Sequence, residues 1–231
     1  MSDPRPRSLS FLVELIVITA SILLAFSLEA WWAERVDRSR FDEIVVAVRA
    51  EFAGSREELE RAREIHEATA ERLETLVSMM GPNPEAAALD ALHPLWAEVR
   101  FTSADVPLGV LSNLLASGDI SSFPDLDLRA RLIGWPAAIE DHVATESMYD
   151  RALEELRRSV SVRSPVPPGW GSPDYDTAFP IQARSVLTSF AVENDLARSL
   201  HLLRIVIREN RELRERLESL LADLDAFMGR R

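Results

Sequence analysis

LLAFSLEAWWAERVDRSR spans Leu23 to Arg40. It begins as apolar as lipid, crosses two adjacent tryptophans and ends as charged as a water-facing helix. From Leu15 to Leu28 no residue is charged. Extending outward to Phe11 and Trp32 adds only Glu14 near one end and Glu29 near the other. At about 1.5 Å of rise per residue, that segment crosses a hydrocarbon layer of about 30 Å. A carboxylate within a turn of either end reaches the headgroups, and Trp31 and Trp32 suit an interfacial aromatic belt. Residues 11–32 therefore read as a transmembrane anchor, with 1–10 a short tail before it.

Two other readings of this stretch stay open. Arg5 and Arg7 followed by Leu15–Leu28 have the order of an export signal, with small residues at Ala25 and Ser27. A buried soluble helix of this apolar length also exists. Inside the span, Ser21 and Ala25 form a small-xxx-small pair that permits close approach of a second helix. Glu14 is either an interfacial carboxylate or a polar contact within the membrane. Arginines lie on both sides of the segment, so their count sets no orientation.

Beyond residue 33 the pattern is helical. Phe41, Val45, Val48, Phe52, Ser55, Leu59, Ala62, His66, Thr69, Leu73, Leu76 and Met80 alternate by four and three. This 3.5-residue period marks coiled-coil-like packing. Gly81-Pro82-Asn83-Pro84 ends it. Two short helices are expected next, one from Glu85 to about Arg100 with Pro94 inside, and one from about Asp105 to Ala116. A longer one is expected from Asp125 to about Val160, with Leu128, Leu132, Trp135, Ile139, Val143, Met148, Ala152 and Leu156 along one side and a bend at Pro136. The Pro-, Gly- and Ser-rich run at about 161–180 reads as an irregular loop. A last helix, from about Ser189 to Phe227, carries the seam Leu203, Val206, Asn210, Leu213, Leu217, Leu220, Leu224 and Phe227. Asn210 on that seam either fixes register or association as a buried amide, or lies exposed for a partner. The fold expected is all-α: a single N-terminal transmembrane helix continuing into a long-helix antiparallel bundle over 33–231.

The chain has a net charge of -12, which argues against nucleic acid as a partner because phosphate neutralisation needs basic patches. All 26 of its basic side chains are Arg, and there is no Cys. Thiol catalysis, disulfides and thiolate metal sites are thereby excluded. His66, His93, His142 and His201 are isolated in sequence, and neither a Glu-x-x-His nor a His-Glu-x-x-His motif occurs. Asp141, His142 and Glu146 fit an exposed helical pair better than an acid–base or metal site. Asp174-Tyr175-Asp176 lacks the remaining spacing of a calcium loop. Trp170, between two glycines, either contacts a partner or plugs the bundle end. No catalytic, cofactor-binding or metal residue is expected.

The residues also resemble a known family. Glu14 before an Ile/Leu/Val-rich segment, then Leu24-Ala25, a Trp and Glu34-Arg35, is similar to the start of a family of uncharacterised bacterial single-pass membrane proteins, a domain of unknown function. Leu114-Leu115-Ala116-Ser117-Gly118-Asp119-Ile120 with the downstream Leu128-Arg129 resembles its Leu-x-x-Ser-Gly segment. Ser189-Phe190 leads into a similar terminal helix. Ala25-Phe26-Ser27 departs from that family's aliphatic and amide residues. The resemblance implies a helical domain tethered to the bacterial inner membrane and facing the periplasm, the cytoplasm being the alternative. It implies no activity or substrate. The expected role is that of a membrane-anchored interaction or scaffold protein, self-associating or bound to another membrane protein. The alternative is a tethered sensor with a small ligand between helices near Trp135, His142 or Trp170.

Overall fold

The computed structural model of the chain describes residues 7–164 and 182–230. Every regular element among these is helical: α1 (Arg7–Met79), α2 (Ala86–Ala97), α3 (Gly109–Ser117), a 3-10 turn (Asp119–Ser122), α4 (Leu126–Ser161), α5 (Ala183–Leu187) and α6 (Phe190–Gly229). The chain divides into two units, Met1–Ala47 and Val48–Arg231.

The first unit is helical from Arg7 onward. Up to Val36 its large apolar side chains have no protein cover: Leu15, Val17, Ile18, Ile22, Leu23, Leu24, Phe26, Leu28, Trp31, Trp32 and Val36 are all exposed, whereas Phe41 and Val45 near its end are buried. By length and composition this helix is able to cross a membrane, and none of its apolar window is buried.

In the second unit, α1, α4 and α6 form the bundle. Ring contacts and ion pairs fix their directions. Phe52 meets Trp135 with ring centroids 5.6 Å apart, and His66 meets Tyr149 at 6.3 Å. Both helices advance fourteen residues between these pairs (52 to 66, 135 to 149), so α1 and α4 run parallel and in register. Against α6 the numbers run oppositely: Arg49 pairs with Asp225, Arg214 with Glu60, and Arg204 with Glu74. Arg131 likewise pairs with Asp223, and Arg198 with Glu155. Helix α6 is thus antiparallel to both of its partners.

Each of the three helices buries one seam of alternating four- and three-residue steps. On α1 it runs through Val48, Phe52, Ser55, Leu59, Ala62, His66, Thr69, Leu73 and Leu76. On α6 it runs from Val192 to Phe227 through Ser199 and Asn210. On α4 it is Leu128, Leu132, Trp135, Ile139, His142, Glu146, Tyr149, Leu153, Leu156 and Val160. This last seam corrects the sequence reading, which assigned Val143 and Met148 to the core. They are 41% and 50% exposed.

Short elements close the bundle. At one end, Leu92 and Trp96 of α2 and Val186 and Leu187 of α5 join Leu73, Leu76 and Leu153 in a shared apolar cluster. There the Gly81 N–H donates to the Leu187 carbonyl at 3.0 Å. At the other, Phe123 meets Phe227 in a tilted ring contact, centroids 5.5 Å apart. Helix α3 begins at Gly109 rather than near Asp105. Its first free N–H groups are taken by a carboxylate from α1: Glu51 accepts from Val110 N at 2.6 Å and from Leu111 N at 2.9 Å. Gly118 ends α3 in the left-handed region, φ 79°, where a side chain is disfavoured. Asp125 and Ser189 cap α4 and α6 through their own side chains, as their positions before long apolar-periodic runs imply. The 3-10 turn and α5 were not legible in the sequence. Most of the loop expected at about 161–180, Trp170 included, lies outside the described residues.

Candidate functional site

Three places in the structure carry more than packing. The first is the exposed helix of the amino-terminal unit. A lone polar group in hydrocarbon is costly unless it is bonded, and the hydroxyls here are bonded within the helix. Thr19 donates to the Leu15 carbonyl at 2.8 Å, Ser21 to Val17 at 2.8 Å and Ser27 to Leu23 at 2.7 Å. Ser21 and Ala25 stand four residues apart and exposed, so this face stays small. Glu14 is exposed as well. The tryptophans Trp31 and Trp32 lie 6.3 Å apart, and the Arg35 guanidinium sits 5.7 Å from the Trp31 ring. Arg38 pairs with Glu34 one turn on. Apolar chain, aromatic pair and ion-paired turn follow each other in the order in which lipid gives way to water.

The second place is a polar cluster inside the bundle, which the sequence reading placed at the surface. His142 and Glu146 are a buried pair: their side chains are 2% and 1% exposed, with His142 Nε2 3.3 Å from Glu146 Oε1. The two atoms touch without the alignment of a directed hydrogen bond. Glu146 is held from the other side by the segment between α2 and α3, where the Ser103 hydroxyl donates to Oε2 and the Ala104 N–H donates to Oε1 at 3.2 Å. Burial alone pushes the Glu146 carboxyl up. His142, Ser103 and Ala104 together outweigh it and hold the group below the ordinary carboxylate range.

The same segment is pinned by α1. The Thr102 carbonyl lies 3.0 Å from His66 Nε2. A carbonyl only accepts, so Nε2 carries the proton. Burial is the main cause that lowers the His66 pKa, so this imidazole is neutral. Thr69 donates to the Arg100 carbonyl at 3.4 Å, and Arg61 reaches the Ser103 carbonyl at 3.3 Å. Tyr149 lies under this segment against Phe101 and His66, and burial raises its phenol pKa. The cluster thus ties the irregular stretch 100–104 to two helices. Among the described residues, no group of three or more His, Asp or Glu side chains is placed to hold a metal ion.

The third place is the surface between α4 and α6. A groove of about 340 Å³ lies there over Trp135, with Gly134, Ala138 and Leu220 beside it and Arg131 and Arg216 at its rim. A smaller groove of about 190 Å³ shares Ala138 and Arg216 and continues to His142, Asp141, Glu209 and Glu212.

Asn210 belongs to none of these surfaces. It is fully buried, and its amide donates to the Leu59 carbonyl at 3.1 Å. The structure therefore places it in the chain's own core rather than on a face for a partner. The sequence did hold a signal for His142 and Glu146. Continuing the four-three alternation from Ile139 lands on both, whereas choosing the nearest apolar residues lands on Val143 and Met148. Glu51 and Ser103 carried no comparable signal, because each acts on residues distant in sequence. No protein-family model, curated protein or solved structure matches this chain.

Proposed function

We propose that this chain is a membrane-anchored helical interaction or scaffold protein with no catalytic role. One observation carries this reading: a helix face from Leu15 to Trp32 that no part of the protein covers, with its hydroxyls satisfied internally. In water such a face is an aggregation liability, whereas in a bilayer it is an anchor. The resemblance to bacterial single-pass proteins adds the inner membrane as location and the periplasm as the side of the helical unit. The seams of α1, α4 and α6 are then read as coiled-coil packing that makes a rigid body for contacts. Ser21 and Ala25 are the proposed helix contact within lipid. Crosslinking of the full chain in native membranes tests this. Ala25→Leu should lower the crosslinked dimer by several-fold, and unchanged crosslinking would remove this contact from the account.

A second reading is supported by the grooves at Trp135 and His142. They lie where a tethered sensor would hold a small ligand between helices, the one at Trp135 with an apolar floor and two arginines at its rim and the one at His142 lined mostly by charged groups.

A further inference from the structure

The groove over Trp135 lies at a stretch of its helix with weak helix-forming residues. Gly134 and Pro136 flank Trp135 in the interior of α4, a 36-residue helix. Both residue types weaken a helix interior, glycine through backbone entropy and proline through a lost N–H and a clash. Close packing does not require the glycine, since a Cβ at Gly134 would meet nothing within 4 Å. The missing side chain instead leaves the groove beside Trp135 open. Its volume, about 340 Å³, falls within the range of small-ligand sites.

Charge selects among ligands. The chain has a net charge of -12, so most of its surface repels anions. This groove is an exception. Arg131 is partly neutralised by Asp223, with Asp127 at 3.9 Å. Arg216 is exposed and makes no ion pair among the described residues. Its guanidinium offers a planar fork of donors suited to a carboxylate or sulfonate. The adjoining groove is acidic through Asp141, Glu209 and Glu212, which confines an anion to the Arg131–Arg216 end.

We infer that the α4–α6 groove over Trp135 binds a small organic anion, a carboxylate or sulfonate on a flat apolar body, with Arg216 as its charge partner. This rests on the sensor reading and names the class of ligand it would take. The apolar body lies over the buried Trp135 and in the space left by Gly134, while the anionic group meets Arg216.

The test uses the full chain in lipid nanodiscs with 4-(trifluoromethyl)benzoate as probe, followed by fluorine NMR line broadening, with empty nanodiscs as the lipid control. The expected result is saturable broadening, weakened roughly tenfold or more by Arg216→Glu and by Gly134→Leu. Arg211→Glu, an exposed arginine of the same helix, should leave it unchanged. Gly134→Leu improves helix propensity, so loss of binding with undiminished thermal stability cannot be ascribed to unfolding. The neutral 4-(trifluoromethyl)benzamide separates the two claims. If the amide binds as tightly as the acid, the groove is a ligand site but the anion assignment is overturned. If neither broadens beyond the lipid control, or if all variants bind alike, the groove and the sensor reading fall together.

Discussion

His142 and Glu146 face each other one turn apart on α4, 3.3 Å between nitrogen and oxygen, with both side chains sealed from solvent. An unpartnered charge at that depth is costly, so the pair is stable only as a unit with Ser103 and Ala104. Glu146→Ala strips His142 and two donors of their partner. Denaturant titration should show a loss of about 3–5 kcal/mol. A loss below about 1 kcal/mol would mean that the pair is not buried as described.

The cluster also sets a direction for pH. The Glu146 pKa is lowered in the fold, so its contribution is complete above the unfolded value of about 4.3 and vanishes as pH falls through the folded value. The His66 pKa is lowered too, so the unfolded chain takes up its proton first. Stability then begins to fall below about pH 6.5. His66→Gln keeps a donor for the Thr102 carbonyl without titrating. It should flatten the stability profile just below that pH. An unchanged slope would remove His66 as its origin.

Glu51 holds the start of α3 from a distance of some sixty residues in sequence, through Val110 N and Leu111 N. Glu51→Ala leaves two helix-end donors without their partner. Hydrogen exchange in residues 109–117 should quicken, with a stability loss of about 1–2 kcal/mol. Unaltered exchange there would show that water replaces the carboxylate without cost.

Two glycines should respond with opposite signs. Gly118→Ala forces a Cβ into φ 79° and should cost about 1 kcal/mol. Gly134→Ala adds a methyl group to open space in a helix interior and should stabilise by about 0.5–1 kcal/mol. Thermal melts of the two variants decide this, and shifts of the same sign would contradict it.

Asn210 tests what a buried amide contributes. Its donor goes to a helix carbonyl, and its Oδ1 is buried with no partner among the described residues. Asn210→Leu removes that unpaired acceptor and keeps the branched shape and heavy-atom count, so chemical denaturation should show equal or greater stability. A loss above about 1 kcal/mol would show that the amide holds the seam together.

The periodicity of α1, and of α6 from Leu203 onward, made their buried faces legible almost residue by residue, because their polar members, Ser55, His66, Thr69 and Asn210, keep the four-three step. On α4 the same arithmetic was available, but hydrophobicity overrode it: two exposed apolar residues were preferred to a histidine and a glutamate that the core accommodates by pairing them. The helix ends at Asp125 and Ser189 were legible because capping is local. The Glu51 cap and the strap at 100–104 were not, since each depends on which distant segments meet. The apolar helix long enough to cross a membrane was legible from composition alone, because its apolar face needs no partner from the chain.

Compartment follows from one accessibility assay. With a tag at the carboxyl terminus, protease added to spheroplasts should remove it if the helical unit is periplasmic. A tag that survives until the membrane is broken would place that unit in the cytoplasm.

The central claim, that residues 11–32 hold the protein in a bilayer, is tested most directly by alkaline carbonate extraction of isolated membranes. The full chain should remain in the pellet, and a chain lacking residues 1–32 should be released. Release of the full chain into the supernatant would contradict the anchor and, with it, the proposed role.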